Sequence, residues 1–254
     1  IIVSPEMAAK DYTKALKLYK QCDAIEATIL GKNHIWRMTT IANEGYCYSQ
    51  LSDSTNAIKC FEAHQAACQQ LYNLECDAAM NTLFALGHEY YNHQFENHYP
   101  KALNAYFQAY ELAKNLNDSI NYNSSLYCIS LCYFSQSQEN NGDEQGKYLE
   151  NAEVFVRELR NDNEEDRYLK NLIYDNLANF YNKKSEEYLQ DSITLQQALD
   201  YSQKALETYQ KKPDADQGVK RLLEIYKMDC LIRSNKIQEA IELGEDLYAA
   251  FLPI

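Results

Sequence analysis

The chain has 254 residues, with 24 lysines and arginines against 37 aspartates and glutamates, for a formal net charge of −13. So acidic a chain with scattered lysines excludes a phosphate-binding face for nucleic acid and disfavours an anionic membrane surface, since both need clustered positive charge. Only 7 glycines and 4 prolines accompany 46% hydrophobic residues, which speaks against a β-rich or loop-rich fold.

Apolar residues recur at three- and four-residue spacing throughout, with no sustained alternation of period two, so an all-α chain is predicted. Ser4-Pro5 reads as the cap and first turn of a leading helix over 5–30, running through Tyr12, Ala15, Leu16 and Tyr19 and ending before Gly31. Five helix pairs follow: 34–51 with 54–74, 76–94 with 99–116, 118–136 with 144–161, 164–184 with 190–211, and 215–234 with 236–250. Ser52-Asp53-Ser54 supplies the first turn and cap, Pro100 fits a helix start, a polar stretch over 136–143 divides the third pair, and Lys212-Pro213-Asp214 precedes the fifth. All are expected in one domain, 1–254. The opening Ile1-Ile2-Val3 lacks the basic flank of a signal peptide and reads as the start of a trimmed or processed chain. No apolar run reaches the roughly 20 residues that span a bilayer.

A small residue recurs in the first helices at Gly45, Gly87, Ser130 and Ala178, each followed three positions later by a tyrosine: Tyr48, Tyr90, Tyr133 and Tyr181. The steps are 42, 43 and 48 residues. A period of that length predicts stacked helix pairs, not a globule around one catalytic cleft. The second helices carry Ala57, Phe61 and His64, then Ala102, Tyr106 and Ala109, then Ala198, Ser202 and Ala205. Ala15, Tyr19 and Cys22 open the series and Ala240, Gly244 and Leu247 close it; the helix over 144–161 fits least, with Tyr148, Ala152 and Phe155. Small residues there allow close helix approach, and the aromatic fills the gap.

Leu86-Gly87-His-Glu-Tyr90 with Ala102-Leu103-Asn-Ala-Tyr106-Phe-Gln-Ala109, and Ala198-Leu-Asp-Tyr-Ser-Gln-Lys-Ala205-Leu206, resemble the tetratricopeptide repeat (TPR). The period exceeds the usual 34 and is similar to the longer variety of kinesin light chains. Leu30-Gly31-Lys-Asn-His34 resembles the inter-repeat loop of that variety, with Ile35 where proline is favoured and Glu44 where an apolar residue is usual. The resemblance covers about residues 11–250 and implies a right-handed superhelical solenoid of antiparallel pairs, whose first helices line an inner groove. Counting from the small residue, that groove would present Tyr46, Ser49 and Gln50; Asn81, Phe84, His88, Tyr91 and Asn92; Tyr127, Leu131 and Phe134; Asp175, Asn179, Asn182 and Lys183; and Asp229 and Arg233. Amides can pair with a bound backbone and aromatics can pocket its side chains. A carboxylate clamp of the kind some TPR proteins use would need lysines at such places, and Asp175 stands at one.

No other chemistry stands out. His88, His93 and His98 are spaced by five, which places them on different helix faces, so no metal site and no cofactor are expected. The eight cysteines read as small buried hydrophobes in a reducing, cytoplasmic setting, and Cys128 and Cys132 are poorly placed for a disulfide. Glu164-Glu165-Asp166 reads as a solvated run at a helix start. The expectation is a non-enzymatic, cytoplasmic scaffold or adaptor binding a neutral or basic peptide segment of a partner protein, with no nucleic-acid or membrane partner. Two alternatives stand beside it: a sensor or regulatory module of a larger bacterial signalling, transcription-regulator or protease protein, and self-association through an end helix.

Overall fold

The computed structural model describes residues 5–31, 34–72, 77–93, 98–161, 163–190 and 194–249. The predicted cap Ser4, Cys76, and the predicted helix ends at 74, 76, 94 and 250 lie outside these residues. The described residues form eleven α-helices and no strand: α1 (Pro5–Ile29), α2 (Ile35–Gln50), α3 (Ser54–Tyr72), α4 (Asp77–Asn92), α5 (His98–Asn115), α6 (Ser119–Glu139), α7 (Gly142–Val156), α8 (Glu164–Leu189), α9 (Leu195–Gln210), α10 (Gln217–Arg233) and α11 (Ile237–Ala249). They group into two compact units, Ile1–Cys132 and Tyr133–Ile254.

Three helix reversals share one device. Ser52, Asn117 and Asn235 adopt φ of 61°, 54° and 58°. The next amide then donates to a carbonyl five residues back, at 2.9 Å in each case: Asp53 to Tyr48, Asp118 to Ala113, and Lys236 to Leu231. This satisfies carbonyls that a helix end leaves open. Asp53 and Asp118 then cap the following helices, accepting from the Asn56 amide at 3.2 Å and the Asn121 amide at 3.1 Å. The first cap is thus Asp53 of the predicted Ser52-Asp53-Ser54 turn.

Several helices differ in extent from their reading: α7 ends at Val156, short of 161, and α9 begins at Leu195, beyond 190. α6 runs past 136 to Glu139 and α7 begins at Gly142, because the polar stretch holds no helix breaker before Gly142, where φ reaches 58°. α8 continues past 184 to Leu189, held there by Ser185, which is buried and donates to the Ala198 carbonyl of α9 at 2.8 Å.

In the first unit α4 packs against α3 and α5 and also touches α2. Gly87 admits Tyr106 so closely that a Cβ there would lie 2.7 Å from its Cδ1 and Cζ; at Gly45 the nearest atom would be Phe61 Cε1, also at 2.7 Å. Tyr106 is 2% exposed, and a neighbouring cluster of Cys68, Met80, Leu83, Ala109 and Leu112 closes the α3–α4–α5 interior.

In the second unit Leu149 of α7, Leu177 and Ala178 of α8, and Ala205, Leu206 and Tyr209 of α9 form one core with Leu223 of α10. The buried face of α7 is Gly146, Leu149, Ala152 and Val156, with Gly146 against the Phe180 ring. The expected Tyr148–Ala152–Phe155 register is corrected accordingly: Tyr148 and Phe155 are half-buried, and Phe155 stacks on Tyr133 at 6.0 Å. Two further expectations are corrected. Asp166 is not solvated but 3% exposed, one turn before the buried Lys170, whose ammonium donates to the Leu159 carbonyl. Cys22 is exposed and Cys60 half-buried, whereas Cys47, Cys68, Cys128, Cys132 and Cys230 are buried free thiols.

Gly87→Ala is expected to destabilise the chain by about 2 kcal/mol or more in urea unfolding, because overpacking against Tyr106 exceeds the gain in helix propensity. Gly244→Ala meets only Met228 Sδ, at 3.4 Å. It is expected to stabilise by about 0.5–1 kcal/mol. Equal effects of the two substitutions would contradict this packing.

Candidate functional site

α4 carries two opposite faces. At 3.6 residues per turn, Leu83, Leu86 and Tyr90 lie on one side and Asn81, Phe84, His88, Tyr91 and Asn92 on the other. The first side is buried and the second is half-buried or exposed. Phe84 and His88 frame Tyr106 at 6.4 and 5.6 Å between ring centroids, and His88 Nδ1 lies 3.0 Å from the Tyr106 hydroxyl. Tyr91 meets Tyr99 edge-on at 6.1 Å. On α2, Tyr46 is exposed and packs edge-on against Phe61 at 5.0 Å, with Gln50 exposed one turn later. Tyr127 on α6 is half-buried. The first unit therefore brings exposed amides and partly exposed rings together on its first-helix face.

The second unit is arranged differently. Asp175 binds the Lys212 ammonium through both carboxylate oxygens, at 2.8 and 2.7 Å. Asn182 donates to Glu186 at 3.1 Å, and Arg233 pairs with Asp229 at 3.0 Å. Asn179 and Lys183 are exposed. Asp175, Asn182, Asp229 and Arg233 are thus engaged within the protein.

A feature missed from sequence lies on the second-helix side. The Tyr90 hydroxyl donates to Glu62 of α3 at 2.7 Å, and Lys101 of α5 stands 5.4 Å over the Tyr90 ring. The second unit repeats the arrangement: Tyr181 donates to Glu150 of α7 at 2.7 Å, with Lys204 of α9 at 5.5 Å. Burial, then the carboxylate, raises both phenols above the usual tyrosine range. In the first unit this trio sits at one end of a groove of about 400 Å³, whose floor is Leu83, Leu86 and Tyr90 and whose walls are α3 and α5. The signal was present in sequence: Glu62, Gln65, Ala66 and Gln69, and Lys101, Asn104, Ala105 and Gln108, each keep i, i+3, i+4, i+7 spacing.

Two of the described thiols are held away from the reactive thiolate form. Burial pushes Cys128 up to about 12, and burial with the nearby Glu44 carboxylate pushes Cys60 up to about 11. Among the described residues no group of three His, Cys, Asp or Glu side chains is placed to hold a metal ion. His93 contacts Glu89 at 3.6 Å, and the His98 ring lies tilted against Tyr99 at 4.0 Å between centroids. No described helix is long and apolar enough to cross a membrane.

No family model matches the chain, and no curated protein matches it. Among solved structures it is similar to a candidate kinesin light chain of Podosopora anserina with nearly identical TPR-like repeats, at 15% identity over 85% of this chain and 95% of that one, with a TM-score of 0.39. It is also similar to BtubC (BKLC) from P. vanneervenii, at 13% identity over 100% of this chain and 95% of that one, with a TM-score of 0.41. The fold of the described residues is a helical repeat of packed pairs. The Gly87–Tyr106 and Gly45–Phe61 contacts within successive pairs carry that statement. Activity and partners do not pass across at such identities.

His64 shows how a repeat position becomes pH-sensitive. It is buried, and its Nδ1 lies 2.9 Å from Thr82 Oγ1. Thr82 donates its own proton to the Ala78 carbonyl, so His64 Nδ1–H is the donor. Burial holds the His64 pKa below its ordinary 6.5. The unfolded chain takes up this proton first, so the contribution is complete above about pH 6.5 and is lost as pH falls through the lower folded value. His64→Gln is expected to flatten the loss of stability between about pH 7 and about pH 5, measured by urea unfolding. Parallel curves for the two proteins would contradict it.

Proposed function

We propose that this chain is a protein-interaction module whose first unit holds an extended peptide segment of a partner along the face formed by α2 and α4. The observation that carries this reading is the division of α4. One side is buried between α3 and α5, while the other leaves Asn81 and Asn92 exposed beside the partly exposed rings of Phe84 and Tyr91. Exposed amides supply both a donor and an acceptor to a peptide backbone, and flanking rings hold its side chains at small entropic cost. The net charge of −13 favours a neutral or basic ligand. In the second unit the Asp175–Lys212 and Asp229–Arg233 pairs tie up part of the equivalent face, and Asn179 and Lys183 stay exposed.

Peptides selected from a random heptamer library on the intact chain are expected to be poor in Asp and Glu. Asn81→Ala combined with Asn92→Ala is expected to weaken them about tenfold, as loss of one or two hydrogen bonds to a backbone would. Both residues are exposed, so circular dichroism should be unchanged. Undiminished affinity in the double variant would sink the reading.

A further inference from the structure

We infer a second peptide-binding site, on the opposite side of α4, in the groove between α3 and α5. It is independent of the first-helix face proposed above. The groove holds about 400 Å³ over a floor of Leu83, Leu86 and Tyr90. Four carboxamides line its walls: Gln65 and Gln69 from α3, Asn104 and Gln108 from α5. Ala66 and Ala105 stand between them and keep the space open.

Gln65 is the decisive residue. It is 6% exposed, yet neither its Nε2 nor its Oε1 meets a hydrogen-bond partner among the described residues. A buried amide left unpaired is costly, and such groups in folded proteins are rare. A ligand that offers one donor and one acceptor side by side answers it, and the edge of a peptide backbone is such a ligand.

The second unit shows what happens where no ligand is needed. Counting from the Glu150–Tyr181–Lys204 trio, the place of Gln65 is taken by Glu153 and that of Gln108 by Lys211. These two join at 3.1 Å, so the equivalent walls satisfy one another across the groove. In the first unit the same two places carry Gln65 and Gln108, and Gln65 stays unpaired.

Length and charge specify the occupant further. From Glu62 to Gln69 the α3 wall runs about 10 Å at 1.5 Å per residue. That accommodates about three residues of extended chain. Glu62 and Lys101 flank Tyr90 at one end and offset one another, so the site favours an uncharged tripeptide stretch with an apolar side chain directed at Leu86.

The test is a titration of the ¹⁵N-labelled chain with the blocked tripeptide acetyl-Ala-Leu-Ala-amide, following side-chain amide resonances. A saturable shift of the Gln65 Nε2 signal is expected in the wild-type chain and in Asn81→Ala/Asn92→Ala, since those residues lie on the other face. Gln65→Leu is expected to weaken the peptide at least about tenfold, as loss of a paired donor and acceptor would. Gln69→Ala and Gln108→Ala, changed at less buried positions, are expected to weaken it too and serve where Gln65→Leu does not fold. Absence of a saturable Gln65 shift, or unchanged affinity in the Gln69→Ala and Gln108→Ala chains, would overturn the inference. Either outcome leaves the first-helix face to be judged by its own double variant.

Discussion

The approach of an aromatic ring to a residue without a side chain governs the first unit. Tyr106 occupies the volume a Cβ at Gly87 would need, and Phe61 does the same at Gly45. Such a contact tolerates neither sliding nor rotation of one helix on the other, because close-packed interiors do not deform continuously. It therefore fixes the azimuth of α4, and with it which residues look toward each side. Asn81 and Asn92 face out on one side for the same reason that Leu83 and Leu86 close the other.

A second contact joins each pair to its neighbour. Tyr90 and Tyr181 follow the small residue by three positions and reach back to Glu62 and Glu150 on the preceding helix. The phenol donates to a carboxylate under a lysine, so three chemically different groups are satisfied at once. Tyr48 keeps the position with a different partner: the Lys20 ammonium of α1 lies 5.1 Å from its ring. The small residue thus sets geometry within a pair, and the tyrosine sets it between consecutive helices.

What the sequence revealed and what it concealed follow from the range of each interaction. The Gly87–Tyr90 spacing was legible because it lies within one turn and its steric meaning is independent of context. The outward phase of Asn81, Phe84, His88, Tyr91 and Asn92 followed from that register. Asp166 was misjudged because its burial, one turn before Lys170, depends on the backbone path to Leu159, which no periodicity encodes. The register of α7 was missed because Gly146 meets Phe180 of the next helix and not a ring within its own pair. Gln65 was overlooked for another reason: its meaning comes from α5, 39 or so positions onward, and an amide on a helix reads as ordinary surface until its burial is seen.

The contrast between the Gln65 and Glu153 positions bears on how a chain of this kind diversifies. Glu153 and Lys211 meet above a framework whose tyrosine, carboxylate and lysine match those around Gln65. The framework residues are constrained by neighbours on three helices, whereas the two wall residues answer only to each other or to a guest. An exchange at those two places therefore changes the chemistry of the groove wall while the tyrosine joints stay as they were. Repetition in this chain supplies several copies of one mechanical joint and, beside each, a separately adjustable lock.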